Sequence, residues 1–353
     1  MKILHAMQGV QQSCGISKFV LETTRELQRA GHTAAIVTTR NWNAPADDLH
    51  LVETLEPARF ADEFTPQIVH IHGAWNHYVR RMAAWCRARG IPYVLSPHGA
   101  WTPWAMHYHR LRKWLAWLWF QRKDAHGAAA FHVTVQSEAE DIRRLGLAQP
   151  VVIAPLGVRQ PEGELPPLAS RPKAVLCLGR LHVKKNIDGL LRAWAQVPAT
   201  LREGWRLLIA GKAGLGDDDY LKSLHSLASP DCEFLGEVMG EDKDRLYRQV
   251  RLFVLPSFSE NFGAVIPEAL SYGVPAIATT GTPWQCLQKA QCGWWVAPTP
   301  KALADTLAQA MTIPPDQFAA WGVNARALAT RDFSWQRTAD TLLDAYRKIV
   351  PTG

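Results

Sequence analysis

Short apolar runs of strand-like composition alternate with helical stretches along almost the whole chain. Neighbouring parallel strands need a crossover helix between them, so this alternation predicts parallel sheets with helices on both faces. The predicted strands are Lys2–Met7, Ala34–Thr38, Ile68–His72, Tyr93–Ser96, Ala130–Val135, Val151–Ala154, Ala174–Leu178, Arg206–Ala210, Glu233–Leu235, Leu252–Leu255 and Ala276–Thr279. The predicted helices are Ile16–Ala30, Tyr78–Arg89, Asn186–Gln196, Asp218–Ala228, Lys243–Gln249, Ala264–Tyr272 and Trp335–Ile349.

The alternation is interrupted once, at Gln160–Pro172, where four prolines occur without any periodic pattern. Because 353 residues suit two domains, this interruption predicts a boundary. We predict an N-terminal domain over 1–160, a linker over 161–172 and a second domain over 173–334. Residues 335–353 form a C-terminal helix that packs on the second domain or crosses back to the first. The fold class is α/β, with two Rossmann-like, doubly wound domains.

The charge balance narrows the classes of partner. With 39 Lys and Arg against 32 Asp and Glu, the net charge of +7 favours anionic partners, such as phosphate-bearing substrates or an anionic membrane surface. The chain lacks a nucleic-acid-binding signature, so no nucleic acid is predicted. It also lacks an apolar run of about 18 residues and the features of a secretory signal, so we predict a cytoplasmic protein. The six cysteines form no CxxC pair, which favours reduced thiols over disulfides or zinc ligands.

The motif with the most specific spacing follows the predicted strand Leu252–Leu255 and opens a helix. Glu260 lies in the loop and Glu268 in the helix, with seven residues between them. A helix start offers unpaired N–H groups that suit a diphosphate, and Gly263 lets a ligand approach the backbone closely. The two carboxylates can accept hydrogen bonds from sugar hydroxyls. The alternative is an acidic loop residue beside an ordinary exposed helical glutamate.

A second strand-to-helix crossing of the same predicted domain carries Arg180 and Lys185. Cations at this position can neutralise charge on a leaving diphosphate, although a solvated basic loop has the same composition. In the first half, Gly15 lies between the first strand and the first helix, where it can bring backbone amides to a phosphate or simply form a turn. His98, after the strand Tyr93–Ser96, can bind a sugar, transfer a proton or serve a structural role.

Together these segments resemble glycosyltransferase family 4, whose members are retaining enzymes of the GT-B fold with two facing Rossmann-like domains. The E-x7-E pattern of Glu260 and Glu268 is the specific part of the resemblance. The supporting residues are Gly15, Pro97–His98–Gly99, Gly179–Arg180, Lys185, Phe234–Leu235–Gly236 and Gly273–Val274–Pro275. The match is strongest over about Ala174–Trp295.

The resemblance implies that the second domain holds a nucleotide sugar and the first binds the acceptor. Glu268 would bind the ribose and Glu260 would lie beside the donor sugar. Arg180 and Lys185 would stabilise the leaving diphosphate, and His98 would face the donor sugar. The remaining implied donor-binding residues are Gly15, Gly236, Val238, Asn261, Phe262, Gly263 and Ala264. The chain departs from the family in having Cys14 before Gly15, where paired glycines are common, and Pro267 before Glu268.

Two other patterns invite a metal interpretation. Asp217–Asp218–Asp219 contains an Asp-x-Asp spacing, but its place at a predicted helix start favours a helix-capping role. His70 and His72 share one face of a strand, yet no third ligand follows at a useful spacing, so strand-end residues that border a cleft are the favoured interpretation. We therefore predict that the protein uses neither a metal nor any other cofactor.

The segment Trp101–Lys123 contains five of the 15 tryptophans, interleaved with arginines and lysines. Leu111, Trp114, Leu115 and Leu118 follow helical spacing. A basic amphipathic helix rich in tryptophan suits an anionic membrane interface, near a lipid-linked acceptor. The alternative is a helix whose aromatic face packs inside the domain.

The motifs together with this resemblance imply a retaining, metal-independent hexosyltransferase that moves a sugar from a nucleotide diphosphate to a glycan or lipid-linked acceptor. Its expected place is the cytoplasmic face of a membrane, in cell-surface polysaccharide or lipopolysaccharide biosynthesis. A nucleotide-sugar epimerase of the same architecture and a non-catalytic nucleotide-sugar or glycan-binding protein are the alternatives. A dinucleotide-dependent oxidoreductase is disfavoured because GxGxxG does not follow the first strand.

Overall fold

A computed structural model describes residues 1–11, 14–107, 110–214 and 216–350, without the side chains of Trp104, Arg110 and Asp218. The chain divides into two compact units. The first is Met1–Gly157 together with the C-terminal segment that starts at Trp335, and the second is Val158–Ser334.

The strands of the first unit are β1 (Lys2–Met7), β2 (Val10–Gln11), β3 (Thr33–Thr38), β4 (Asn41–Trp42), β5 (Leu51–Glu53), β6 (Ile68–His72), β7 (Tyr93–Ser96), β8 (Ala130–Val133) and β9 (Val151–Ile153). Those of the second unit are β10 (Ala174–Leu178), β11 (Arg206–Ala210), β12 (Cys232–Gly236), β13 (Leu252–Leu255), β14 (Ala276–Thr279) and β15 (Gly293–Val296). Most predicted strands agree within two residues at each end. The prediction missed the short strands β2, β4 and β5, and it missed β15, in which Gly293 pairs with Ala276 of β14.

The α-helices are α1 (Gly15–Arg29), α2 (Pro57–Phe64), α3 (His77–Arg89), α4 (Pro103–His107), α5 (Arg110–Ala116), α6 (Arg122–His126), α7 (Gln136–Arg144), α8 (Ile187–Gln196), α9 (Ala199–Arg202), α10 (Asp218–Leu227), α11 (Gly240–Gln249), α12 (Val265–Ser271), α13 (Cys286–Lys289), α14 (Pro300–Met311), α15 (Pro315–Asp332) and α16 (Trp335–Ile349). A π-helical turn, Trp117–Gln121, joins α5 to α6.

Each unit contains one doubly wound parallel sheet. The order is β5-β3-β1-β6-β7-β8-β9 in the first unit and β12-β11-β10-β13-β14-β15 in the second. The winding direction reverses between β1 and β6 in the first sheet, and between β10 and β13 in the second. Ligands of open parallel sheets bind beyond the carboxyl ends of the strands at such reversal points. The topology alone therefore predicts a ligand-binding position at the carboxyl ends of the strands in each sheet.

The segment 161–172, predicted as a linker, packs as part of the second unit, which begins at Val158. Leu168 is buried, and the buried Arg171 donates to the carbonyl oxygen of Tyr272 at 2.9 Å. The prolines of this segment therefore interrupt the periodic pattern without producing a free tether, because single side chains between them anchor the chain to the unit.

The last helix, α16, crosses back to the first unit, where it packs against α1 and β9. Leu342, Leu343 and Tyr346 are buried, and Thr338 donates to the carbonyl oxygen of Pro155 at 2.8 Å. The sequence left this choice open, since the apolar face of α16 suits either unit. Tertiary packing decides it and brings Tyr346 to the sheet.

Candidate functional site

The loops that follow β10 and β13 meet at the reversal point of the second sheet. The N–H of Phe258 donates to the carbonyl oxygen of Lys184 at 2.9 Å, which joins the two loops directly. Arg180 and Lys185 lie on the first loop and Glu260 on the second. The sheet topology therefore brings three of the predicted catalytic residues to one edge of the second unit.

Lys185 and Glu260 form an ion pair across the two loops. The Nζ of Lys185 lies 2.5 Å from Oε1 of Glu260, which also accepts from the hydroxyl of Ser257 at 2.7 Å. Their side chains are 24% and 13% exposed, so the pair is partly desolvated but within reach of solvent. A partly buried pair of this kind attracts more strongly than one at the surface and can exchange partners with an incoming anion.

Asn186 connects the loops that carry this ion pair. Its buried side chain donates to the carbonyl oxygens of Pro256, at 2.9 Å, and of Pro298, at 3.2 Å. Its backbone adopts the left-handed conformation, with φ of 54°, which asparagine tolerates better than most residues. One amide thereby ties the loops after β10, β13 and β15 to each other.

The predicted diphosphate-binding loop contains backbone N–H groups without partners. Those of Phe262, Gly263 and Ala264 form no hydrogen bond with the described residues. Gly263 has a φ of +80°, and a Cβ there would lie 2.9 Å from Cδ2 of Leu255. The backbone conformation therefore favours glycine strongly, and any Cβ there would also crowd the side chain of Leu255. Consecutive unpaired N–H groups around a left-handed residue form a concavity that favours anions.

Arg180 is exposed, and within the described residues its guanidinium has no hydrogen-bond or ion-pair partner. It lies beside Gly214, where an added Cβ would approach its Cδ at 3.8 Å. An unpaired cation near the Lys185 and Glu260 pair gives this edge of the sheet a capacity for a further negative charge.

Glu268 lies in the first turn of α12 and contacts α11 through two side chains that the sequence analysis did not identify. Its Oε2 accepts from Nζ of Lys243 at 2.6 Å and from the hydroxyl of Tyr247 at 3.3 Å. Burial, followed by the negative charge of Glu268, raises the pKa of Tyr247 well above its usual range. The only sequence signal was the four-residue spacing of Lys243 and Tyr247, which places both on one helix face.

The remaining predicted donor-binding residues of this unit differ in how far their side chains are exposed to solvent. Gly236 ends β12 with a φ of 70° and is exposed, and Val238 is half-buried between β12 and α11. Asn261 is half-buried, whereas the side chain of Phe262 is buried.

The position of Trp284 in the sequence Gly281–Thr282–Pro283–Trp284 suits either a neighbour of the donor sugar or a packing residue, and in the structure its side chain is buried. Its Nε1 donates to the carbonyl oxygen of Phe262 at 2.6 Å, and its ring packs against Phe262 and Phe333. The side chain supports the loop that carries the unpaired N–H groups, so the packing interpretation describes this structure.

The edge of the second sheet thus combines two kinds of binding group. Cations and unpaired N–H groups suit phosphate oxygens, and the two carboxylates suit hydroxyl groups. A ligand with both groups, such as a sugar carried on a diphosphate, matches this combination.

In the first unit, His98 follows β7 and has a φ of +50°, a strained conformation for a residue other than glycine. Its Nε2 lies 3.0 Å from Nδ1 of His72, whose Nε2 lies 2.9 Å from Nδ1 of His5. Burial, followed by the nearby His132, lowers the pKa of His98 to about 3, so the ring is neutral near neutral pH. The prediction identified His98 and named His72 only as a metal candidate together with His70. It did not identify His5 or His132.

Gly15 begins α1, and an added Cβ would meet nothing within 4 Å. No steric constraint on the backbone therefore explains the glycine, and the space beside it is open. Residues 12 and 13, earlier in this loop, lie outside the described residues.

No third ligand follows His70 and His72 at a useful spacing in the sequence, but the sheet brings one from an earlier strand. His5, on the neighbouring strand β1, completes a group of three buried histidines. Each offers one ring nitrogen, and these three nitrogens lie within 4.8 Å of one another. The sequence concealed it because the third member pairs with His70 across the sheet from a distant part of the chain. The group contains no carboxylate to offset the charge of a metal ion.

Asp217 occupies the N-cap position of α10, as predicted, but its side chain does not cap the helix. Its Oδ2 accepts instead from the N–H of Gly214 at 3.2 Å. The adjacent Asp219 pairs with Lys222 at the surface. The side chain of Asp218 lies outside the described residues.

The segment Trp101–Lys123 divides between the two interpretations offered for it. Trp101 is buried and packs edge-on against Trp117 and Phe131. Other residues of the segment expose large apolar side chains, with exposed fractions between 51% and 72%: Leu111, Trp114, Leu115, Leu118 and Trp119. Residues 108 and 109 lie outside the description. In the described part of the chain, no helix is both long and apolar enough to cross a bilayer.

Two family models match the chain, one in each unit. Residues 14–157 match the glycosyl transferase 4-like domain, and residues 164–328 match glycosyl transferases group 1. The boundary between the two matches falls where the two compact units meet in sequence.

Curated relatives match about half of the chain. An O-antigen chain mannosyltransferase B of Escherichia coli is 31% identical over 177 residues, which are 49% of this chain and 45% of the relative. A D-inositol 3-phosphate glycosyltransferase of Mycolicibacterium smegmatis is 31% identical over 193 residues, or 50% of this chain and 41% of the relative. The matched region thus spans less than half the length of these relatives.

Solved structures match the fold over the whole chain. The chain resembles Anabaena HepE in complex with UDP, with a TM-score of 0.77, 17% identity and coverage of 99% of this chain and 100% of that one. It also resembles WaaG, a glycosyltransferase involved in lipopolysaccharide biosynthesis, with a TM-score of 0.73, 15% identity and coverage of 99% and 100%. These neighbours share the GT-B fold with this chain.

Proposed function

We propose that this chain, which has the two-domain make-up of the GT-B glycosyltransferases, transfers a hexose from a nucleotide diphosphate to a glycan or lipid-linked acceptor. The observation that carries the proposal is the edge of the second sheet, where the Lys185–Glu260 pair, unpaired Arg180 and unpaired backbone N–H groups lie at the reversal point. Charge, hydrogen-bonding capacity and topology favour the same ligand there.

The second unit would hold the donor. Arg180, Lys185 and the N–H groups of Phe262, Gly263 and Ala264 would bind the diphosphate, and Glu268 would accept from the ribose hydroxyls. Lys185 would then be shared between Glu260 and a phosphate oxygen. Preorganised donors aimed at a leaving group are worth about 10²–10³ in rate for each donor removed.

We propose retention of anomeric configuration without a metal. The bond from the anomeric carbon to the diphosphate oxygen breaks, and the acceptor oxygen forms its bond on the same face of the sugar. The acceptor proton passes to the departing phosphate oxygen. Arg180 and Lys185 supply the positive charge that a divalent ion supplies in metal-dependent transferases, so none would be required.

The acceptor proposal is a lipid-linked glycan at the cytoplasmic face of a membrane, in the assembly of surface polysaccharide or lipopolysaccharide. Its support is the exposed apolar surface of Leu111, Trp114, Leu115, Leu118 and Trp119, next to the exposed cations Arg112, Arg122 and Lys123. Tryptophan and basic residues on one helical surface favour the interface of an anionic bilayer.

The first test is a thermal-shift screen of the full chain against nucleoside diphosphates and nucleotide sugars, with and without EDTA. A ligand at 100 times its Kd stabilises the folded state by about 2.7 kcal/mol, which raises Tm by several degrees. We expect one base to stabilise the protein, an effect that EDTA leaves unchanged and Glu268→Ala removes. Glu233→Ala, at an exposed ion pair on β12, is the matched control and should keep the shift. No shift with any nucleotide would contradict the proposal.

Turnover separates the alternatives. With a stabilising donor and candidate acceptors, a transferase consumes donor only when acceptor is present, and the anomeric proton coupling of the product reports retention or inversion. An epimerase would convert the donor without acceptor, and a binding protein would give a thermal shift but no product. An inverted product would contradict the proposed geometry of attack.

The membrane proposal has its own test. Co-sedimentation with vesicles that contain anionic lipid should decrease with salt and fall in a Trp114→Ser, Trp119→Ser double variant. Val323→Ser, at an exposed apolar residue of α15 in the second unit, is the control and should sediment like wild type. Absence of binding at low salt would contradict membrane docking but leave the donor proposal unaffected.

A further inference from the structure

Five histidines and one serine line a single face of the first sheet near the carboxyl ends of its central strands. His5 pairs with His70 between β1 and β6, and the histidines His72, His98 and His132 complete the group with Ser96. All but His98 are buried, and burial lowers the pKa of each histidine. Neutral imidazoles in such a row depend on hydrogen bonds to one another and to nearby groups, and here those bonds form two separate chains.

The first chain has a direction that its last acceptor determines. Nε2 of His132 lies 2.9 Å from the carbonyl oxygen of Ala154, which can only accept, so Nε2 of His132 carries the proton. Nδ1 of His132 then accepts from Ser96 at 2.7 Å, and Ser96 accepts from Nε2 of His70 at 2.6 Å. Nδ1 of His70 accepts from the hydroxyl of Tyr346 at 2.5 Å. Every ring nitrogen of this chain has a partner.

The second chain joins His5, His72 and His98. Unlike the first chain, it does not end on a group that can only accept a hydrogen bond. Nδ1 of His5 lies 2.9 Å from Nε2 of His72, and Nδ1 of His72 lies 3.0 Å from Nε2 of His98. Nε2 of His5 is buried without a hydrogen-bond partner. At the other end, Nδ1 of His98 makes no hydrogen bond with a described residue, and His98 is half-buried.

These bonds argue against a metal at His5, His70 and His72. Both nitrogens of His70 belong to the chain that ends at Ala154, and the two nitrogens of His72 point to different neighbours. Three lone pairs therefore do not converge on one point unless both chains break. No carboxylate in the group would offset the two positive charges.

The hydrogen bonds of the second chain cannot readily reverse their direction, because the chain ends at Nε2 of His5, which has no partner. Reversal would require each proton to move by one hydrogen bond and a new proton to reach Nε2 of His5, which is buried without a partner. Of the two directions, one leaves an orphaned N–H at His5 and the other leaves an orphaned lone pair. Orphaned buried N–H groups are the rarer of the two, which favours protons on Nδ1 of His5, His72 and His98.

We propose that His72, backed by His5, is a positioning residue that fixes His98 in its neutral form with the proton on Nδ1. His98 then presents a hydrogen-bond donor to a substrate oxygen and does not serve as a general base. The substrate part rests on the proposed function, but the fixed tautomer is a property of the free protein and is measured without substrate.

The test is nuclear magnetic resonance of the full chain labelled with ¹⁵N at histidine ring nitrogens, with signals assigned by single substitutions. We expect one tautomer at His98, protonated at Nδ1, and a coupling across the hydrogen bond from Nδ1 of His72 to Nε2 of His98. His70 and His132 should be protonated at Nε2. A proton on Nε2 of His98, or exchange between both forms, would overturn the proposal.

Two variants separate positioning from mere packing. His72→Asn keeps an amide donor at the place of Nδ1 and should keep the tautomer of His98, whereas the apolar His72→Leu should release it into a mixture. Exposed His126→Gln is the control. Loss of one neutral hydrogen bond to substrate predicts a fall in kcat/KM of roughly two- to tenfold in His72→Leu, with recovery in His72→Asn. Equal spectra for the two variants would overturn the proposal.

Titration with Zn²⁺ completes the design. Unchanged signals of His5, His70 and His72 support the hydrogen-bonded chains, and stoichiometric shifts of all three would overturn them in favour of a metal site. A fixed tautomer in a protein that binds no nucleotide would leave this inference standing while the proposed function fails.

Discussion

The side chains at the carboxyl ends of the two sheets differ in charge: those of the first sheet are neutral, and those of the second are ionised. In the first unit, buried histidines line this edge, and burial keeps them neutral by lowering their pKa values, to about 3 for His5 and about 4 for His132. In the second unit, the corresponding edge holds charged pairs, Lys185–Glu260 and Lys243–Glu268, whose side chains are 13% to 27% exposed.

The contrast shows how one topology serves two tasks. Full burial of a charge costs several kcal/mol, so groups that must stay ionised lie where solvent or a ligand still reaches them. Neutral imidazoles can be buried completely if their nitrogens find partners. The first unit therefore suits directional hydrogen bonds to uncharged hydroxyls, and the second suits the binding of an anion.

The largest expected effect comes from removing a charge at the second edge. Lys185→Ala takes away both the partner of Glu260 and one cation beside the proposed diphosphate, so kcat should fall by about 10²–10³-fold. Lys222→Ala, at an exposed pair on α10, should stay near wild type. Initial rates at saturating donor measure both, and a fall of less than tenfold in Lys185→Ala would remove the lysine from the proposed site.

Acid should weaken the first unit more than the second. Because the folded pKa values of His5 and His132 lie below the usual value of about 6.5, the unfolded chain binds more protons between those limits. Stability is therefore full above pH 6.5 and is lost as pH falls towards 4. Each of these buried histidines accounts for at most about 2 kcal/mol between pH 7 and pH 5.

Hydrogen exchange at several pH values, after correction for intrinsic rates, measures this difference in each unit. Peptides from β1, β6 and β8 should lose protection as the pH falls from 7 to 5, and those from β10 and β13 should lose much less. Equal loss in both units would show that the histidines do not govern the response.

The smallest effect distinguishes the two buried tyrosines at these edges. Tyr346→Phe removes the donor to Nδ1 of His70 and leaves a buried acceptor unpaired, at a cost of about 1–3 kcal/mol. Tyr247→Phe removes two longer bonds, 3.3 Å to the carboxylate of Glu268, which Lys243 still pairs, and 3.4 Å to the carbonyl oxygen of Val265. Urea unfolding should show the larger decrease for Tyr346→Phe, and the reverse order would contradict the hydrogen-bonded chain.

The fold was largely predictable because its signals are local. Strands such as Ile68–His72 and Ala174–Leu178 agree with the prediction at both ends, since buried parallel strands are short apolar runs between helices. The strand β15 was missed because Gly293 and two tryptophans give it no such pattern.

The candidate site was predictable in part for the same reason. Glu260 and Glu268 are seven residues apart in one motif, and Lys185 is at the same kind of strand-to-helix crossing. Lys243 and Tyr247 were not identified, because a pattern within α11 does not reveal which helix lies against it. The orphaned nitrogen of His5 and the chain behind His98 depend likewise on neighbours from distant strands.

The sequence by itself therefore determined the α/β class, the two-part organisation and the residues of the E-x7-E motif, because periodicity and short spacings express local physical preferences. Only the tertiary structure decided that α16 returns to the first unit, that residues 161–172 pack on the second and that the histidines form two directed chains. Those features depend on which surfaces meet, and contacts between residues such as His70 and Tyr346, 276 positions apart, leave no trace in any local pattern.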